Sequence, residues 1–191
     1  MDIVRNAPRG ARYRGIVPAL ALLLALLPGG APLAEEVELK VGDLAPGFTL
    51  VDQNGVARNL SEYRGEWVVL YFYPKDDTPG CTTEACNFRD DYFALRERGA
   101  RVLGVSVDSA ESHAAFAEKY GLPFPLLADT GHVVTNAYGT LGGIWPLRLA
   151  RRETFIIDPQ GHIAKVYRSV KAKTHSREVI ADLDALQAET N

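Results

Sequence analysis

The sequence predicts an α/β fold with a central mixed sheet flanked by helices. Three observations carry this: strand-like and helix-spaced runs alternate, one run is apolar throughout, and the last two strand-like runs are joined by a short turn. The chain has 191 residues, 47% of them apolar and 24% charged, the balance of a soluble globular protein.

Residues 48–51 and 56–60 read as a short hairpin, because Asn54-Gly55 supplies the positive φ that its turn needs. The run 67–73 (WVVLYFY) has no polar alternation, which fits a central strand covered on both faces and ended by Pro74. From Gly80 to about Arg98, Cys81, Ala85, Phe88, Tyr92 and Leu95 recur at three- and four-residue steps, the spacing of one helix with a buried face. A strand over 102–107 then leads through Asp108-Ser109 into a helix over 110–120, closed by Gly121. A short strand is expected at 125–128, a short helix at 132–138, and a Gly-rich loop at 141–149 (LGGIWPLRL). Residues 153–157 and 163–167 form strands around the turn sequence Asp158-Pro159-Gln160-Gly161, and a helix over about 176–187 closes the chain. This order matches a thioredoxin-like arrangement, whose chemistry sits at the carboxyl ends of strands, where residue 73 lies.

Residues 1–34 stand apart. Arg5, Arg9, Arg12 and Arg14 precede an apolar run over 16–27 and then small residues, the layout of a cleavable signal peptide with processing expected near Ala34. An apolar run of 12 residues falls short of the roughly 20 that span a bilayer, so stable membrane insertion is not expected, with retention as a poor anchor the alternative. The remaining 35–191 form one domain. Without residues 1–34, which hold four arginines and one aspartate, the net charge moves from −3 to −6, which disfavours nucleic acid as a partner.

Both cysteines lie in that domain. Cys81 falls in the first turn of a helix after a buried strand, where backbone N–H groups and the helix dipole favour an anion; a free thiol titrates at about 8.5, so a nearby cation would make it reactive. Cys86 follows five positions later. On a regular helix that spacing gives about 140° of rotation and about 7.5 Å of rise, hence Cα atoms about 8–9 Å apart, beyond the roughly 7 Å that a disulfide spans. The pattern favours a redox cycle with local unwinding over a static structural brace. Thr78 can turn its hydroxyl toward the sulfur or simply cap the helix. Pro74 can shield the thiolate or simply end the strand. Lys75, Arg151 and Arg152 are the candidate cations, and an arginine leading into 153–157 can bind sulfur and a peroxide oxygen together. His113, His132, His162 and His175 lack metal-ligand spacing and read as surface or turn residues.

The motif Pro74-x-x-x-Thr78-x-x-Cys81, with Thr-Pro-Gly-Cys and a second cysteine five residues on, resembles the peroxiredoxins, and in particular their bacterioferritin comigratory protein or peroxiredoxin Q branch. The resemblance covers about residues 40–187. It implies that Cys81 is the peroxidatic cysteine, that Cys86 resolves it as a disulfide, that Pro74 and Thr78 shape the pocket, and that Arg152 rather than Arg151 is the catalytic arginine. It implies hydrogen peroxide or organic hydroperoxides as substrates, a thioredoxin-like dithiol as reductant, no flavin, haem or metal, and a monomer, with a dimer open. The signal-like segment departs from the common pattern and implies export to a bacterial periplasm. Two alternatives remain: an exported thiol-disulfide oxidoreductase, which the missing C-x-x-C disfavours, and a non-catalytic thioredoxin-like binding module with a structural disulfide. The apolar loop with Ile144, Trp145 and Leu147 could line the pocket or a dimer contact.

Overall fold

A computed structural model describes residues 38–144 and 146–190. The expected signal peptide and Trp145 lie outside the described residues.

The chain runs β1 (Thr49–Asp52), β2 (Ala57–Asn59), a 3-10 turn (Leu60–Tyr63), β3 (Trp67–Phe72), α1 (Pro79–Asp90), α2 (Tyr92–Glu97), β4 (Ala100–Ser106) and α3 (Ala110–Tyr120). It continues with β5 (Leu126–Ala128), α4 (Val133–Ala137), β6 (Leu141–Ile144), β7 (Leu147–Ala150), β8 (Glu153–Ile157), β9 (Ile163–Tyr167) and α5 (His175–Thr190). Seven strands form one sheet in the order β2-β1-β5-β4-β3-β8-β9. β3 and β4 pair in parallel, as do β4 and β5, while the remaining neighbours are antiparallel, so the sheet is mixed as expected.

Strand β3 lies inside this sheet and buries both faces. Val69, Tyr71 and Tyr73 join Cys81, Ala85, Phe88, Leu95, Phe116, Val179 and Leu183 in one core, while Val68, Leu70 and Phe72 join Leu103, Val134, Tyr138 and Phe155 in the other. The two-residue period of the strand thus serves two cores and leaves no polar position within it. Helix α3 shows its stop and start in the sequence: Ser109 Oγ accepts from the Ser112 amide, and Gly121 takes a left-handed φ of 62°. In the β8–β9 turn, Asp158 Oδ1 accepts from the His162 amide at 2.8 Å and Gly161 has φ 90°.

Three expectations change. The helix foreseen over 80–98 is two helices, because Asp91 leaves helical geometry at φ −92°, ψ 4°, with its carboxylate accepting from Ser176 Oγ of α5 at 2.6 Å. The 141–149 segment is not a loop but the antiparallel β6–β7 hairpin, with Leu141 opposite Ala150 and Ile144 opposite Leu147. Its two glycines hid the alternation: Gly143 has φ 83°, and a Cβ there would lie 2.2 Å from the Leu147 carbonyl oxygen. His113 and His175 are fully buried rather than surface residues, since each faces the core from its helix.

Gly104 of β4 lies under the Tyr71 ring, where a Cβ would come within 2.8 Å of Tyr71 Oη and of Leu126 Cδ2. Gly104→Ala is expected to cost about 1–3 kcal/mol through overpacking. An unchanged urea midpoint at unchanged slope would contradict this.

Candidate active site

The parallel strands β3 and β4 end side by side, and the chain leaving β3 passes through Pro74 to Thr78 before turning into α1. Pro79 opens that helix, where its missing N–H costs nothing, and Thr78 is the cap residue with extended φ and ψ. The Thr78 side chain makes no cap bond; its hydroxyl donates instead to the Lys75 carbonyl at 3.0 Å. Its proton is thereby committed, and its oxygen faces any further partner as an acceptor.

Cys81, in the first turn of α1, is 1% exposed. Arg152, immediately before β8, donates from Nη2 to Cys81 Sγ at 3.1 Å. β8 pairs antiparallel with β3, Glu153 opposite Phe72, so the register delivers Arg152 to the end of β3 from which α1 springs. Gly80 leaves the guanidinium room: a Cβ there would lie 3.1 Å from Nη2. The other candidate cations turn elsewhere. Arg151 donates to Glu153 and to the Gly139 carbonyl, and exposed Lys75 lies 3.8 Å from Asp108. Cys86 is half-buried on the same helix, and both thiols are free.

Sequence reasoning missed Glu84. It is 1% exposed, its Oε2 accepts from Arg152 Nη1, and its Oε1 has no hydrogen-bond partner among the described residues. Burial pushes its carboxyl up to about 7, against the opposing pull of the Arg152 charge and hydrogen bond. The signal was a carboxylate three residues after Cys81, one turn along the buried face. Arg152 is disfavoured as a cation by its own burial, yet Glu84 and Cys81 raise its pKa, so one guanidinium binds both groups. Near it, buried His175 donates or accepts at Thr154 Oγ1, 2.8 Å away, and burial lowers its pKa to about 4, leaving the ring neutral.

A second buried polar cluster holds the loop before α1. Asp76 accepts from Tyr73 Oη at 2.8 Å and Ser112 Oγ at 2.7 Å, and its Oδ2 lies 2.8 Å from His113 Nδ1. Burial pushes the Asp76 carboxyl up, but these partners together keep it below the ordinary range. Asp77, at a left-handed φ of 56°, accepts from Lys119 Nζ and Tyr120 Oη, each at 2.6 Å.

The arrangement places a buried thiol at a helix N-terminus, against a half-buried guanidinium, with an acceptor hydroxyl on the cap residue of the same helix. That set suits attack by sulfur on a bond whose leaving atom takes up negative charge.

The family model described as AhpC/TSA family matches residues 41–166. The chain is 42% identical over 153 residues to Peroxiredoxin Bcp of Bacillus subtilis (strain 168), covering 76% of this chain and 95% of that protein. It is 41% identical over 163 residues to the chloroplastic Peroxiredoxin Q of Triticum aestivum, covering 83% and 75%. Among solved structures, Peroxidoxin BcpB from Mycobacterium tuberculosis matches with a TM-score of 0.74 at 36% identity, over 78% of this chain and 98% of that one. The Xanthomonas campestris Bacterioferritin Comigratory Protein, described for its alkyl peroxide reduction activity, matches with a TM-score of 0.67 at 36% identity, over 72% and 90%.

Because the folded pKa of Glu84 is raised above its unfolded value of about 4.3, the folded state binds the extra proton and loses relative stability as pH rises from about 4.3 to about 7. Glu84→Gln and the unsubstituted chain should therefore unfold alike below pH ~4. Above pH ~7 the variant should gain on the order of 3 kcal/mol relative to it. A difference independent of pH would show that folding leaves the Glu84 pKa unshifted.

Proposed function

The chain belongs to the AhpC/TSA family, in its peroxiredoxin Q and bacterioferritin comigratory protein branch, and from that premise we propose that Cys81 is its peroxidatic thiol and Cys86 its resolving thiol. It is a thiol-dependent peroxidase. The observation that carries the residue assignment is the 3.1 Å contact from Arg152 to the Cys81 sulfur.

The Cys81 thiolate attacks one oxygen of a hydroperoxide, the O–O bond breaks, and the departing oxygen takes a proton to leave as water or an alcohol. Cys81 becomes a sulfenic acid. Arg152 spreads positive charge over the sulfur and the developing oxyanion, which favours the transition state more than the ground state because charge on the leaving oxygen exists only there. The Thr78 oxygen, its own proton engaged by Lys75, accepts from the peroxide O–H and orients it. On the family resemblance we assign Pro74 to shielding the sulfur, and Glu84 fixes the guanidinium plane by holding the nitrogen that Cys81 does not use.

Cys86 then adds to the sulfenic sulfur and water leaves, forming the 81–86 disulfide. The two sit on one helix, so α1 must unwind first. A thioredoxin-type dithiol returns both thiols. We extend the substrates to hydrogen peroxide and alkyl hydroperoxides, the latter supported by the activity described for the Xanthomonas campestris relative. We further propose that residues 1–34 are a signal peptide directing the domain to the periplasm, and that it acts as a monomer. The exposed Ile144 and Leu147 leave the hairpin open to a second copy.

With a thioredoxin system, Cys81→Ser should abolish peroxide consumption, while Cys86→Ser should consume about one equivalent and stop. Equal turnover by both variants would overturn the assignment. For export, an intact mass from the periplasmic fraction of an expressing bacterium should begin near residue 35. A chain retained in the cytoplasm with residues 1–34 attached would refute it.

A further inference from the structure

Closing the disulfide requires α1 to open, and the bonds around that helix are unevenly spread. Upstream, Asp76 is held by Tyr73, Ser112 and His113, its amide donates to Asp108 Oδ2 at 2.9 Å, and Asp77 is tied to Lys119 and Tyr120. Downstream, the Asn87 carboxamide donates to the Ala172 carbonyl at 2.9 Å and the Lys173 carbonyl at 3.1 Å, and Arg89 donates to the Tyr120 carbonyl at 2.6 Å. Between these anchors the picture is bare. Among the described residues, the side-chain hydrogen bonds from residues 79–86 to other elements all run to Arg152, through Cys81 and Glu84. Thr83 Oγ1 bonds only back to Pro79 within the helix, and the buried Thr82 hydroxyl has no partner among the described residues.

We propose that Asn87 and the Asp76–His113 pair are positioning residues of the disulfide-forming step, the two fixed ends between which residues 79–86 unwind. The proposal rests on the roles given above to Cys81 and Cys86. Oxidation itself loosens the middle: the sulfenic sulfur no longer carries the thiolate charge that Arg152 engages, so one of the two bonds holding the segment weakens when unwinding is needed. In the closing step the Cys86 S–H proton joins the sulfenic hydroxyl, the S–O bond breaks, the S–S bond forms and water leaves. No outside oxidant enters. Fixed ends keep Cys86 close to Cys81 while the turns between them open, which limits the entropy that closure must overcome.

Amide hydrogen exchange of the full chain, reduced and peroxide-oxidised, tests this. Opening 79–86 removes the carbonyl partners of the amides at 83–90, so these should exchange faster in the oxidised form. The Asp91 amide on the Asn87 carbonyl and the Leu95 amide on the Asp91 carbonyl should keep the reduced form's rates. In oxidised Asn87→Asp, of the same shape but unable to donate, exchange at Asp91 and Leu95 should rise about tenfold, with Asn87→Ala agreeing. In oxidised His113→Ala the Asp76 amide should be the one to lose protection. If oxidation already exposes Asp91 and Leu95 in the unsubstituted chain, or Asn87→Asp exchanges like it, the fixed ends are wrong although the 81–86 disulfide stands. If peroxide yields no such disulfide by mass, the resolving role of Cys86 falls with them.

Discussion

One guanidinium organises the site. Arg152 divides its donors between a sulfur that must be charged to react and a carboxyl that burial pushes toward neutrality. Each partner modulates what the other receives: with Glu84 protonated, the positive charge is directed mainly at Cys81, and with Glu84 ionised, it is shared. The pair is buried on the Glu84 side and half-open on the Arg152 side, so its electrostatics act at short range in a medium that screens them weakly. Such a group suits a reaction in which negative charge moves from sulfur to a leaving oxygen, because the same fork can follow it.

The rest of the fold can be seen as what holds that guanidinium in place. The β3–β8 register brings Arg152 to the head of α1, Gly80 leaves space for it, and Glu153 behind it is gripped by Arg151 and Arg168. On the opposite flank, the aspartates of the loop before α1 reach across to α3. The helix bearing both cysteines is therefore firmly seated at its two ends, while among the described residues the side-chain hydrogen bonds from its first turns to other elements all run to Arg152.

Much of this was legible in the sequence. WVVLYFY gave a two-faced central strand because no polar residue interrupts it, and Ser109 with Gly121 bracketed α3 to the residue. Cys81 was legible because a thiol in the first turn after a buried strand has a specific physical environment; the strand entry at 153 pointed to Arg151 or Arg152 alike, and only the family resemblance chose Arg152. Long-range satisfaction of polar groups was not. Nothing near Asp91 foretells that Ser176, 85 positions on, donates to its carboxylate at the point where the helix breaks. Glu84 reads as an ordinary helix-surface residue until Arg152 is placed beside it. His113 could have been found, since it shares a three- and four-residue spacing with Phe116 and Ala117 on the buried face of α3. The β6–β7 hairpin was hidden because its strands are short and two glycines break the alternation.

The arginine and the cysteine it serves lie 71 positions apart and meet only through antiparallel pairing of β3 with β8. Such pairing has a high sequence separation and is slow to form, since the loop must close before any contact rewards it. A one-residue slip in it would turn every side chain of β8 to the other face. The reactive centre therefore cannot exist before that pairing has formed. While the chain is still a nascent or half-folded thread, its two thiols are chemically ordinary, and the sulfur acquires its special surroundings only once the sheet is whole.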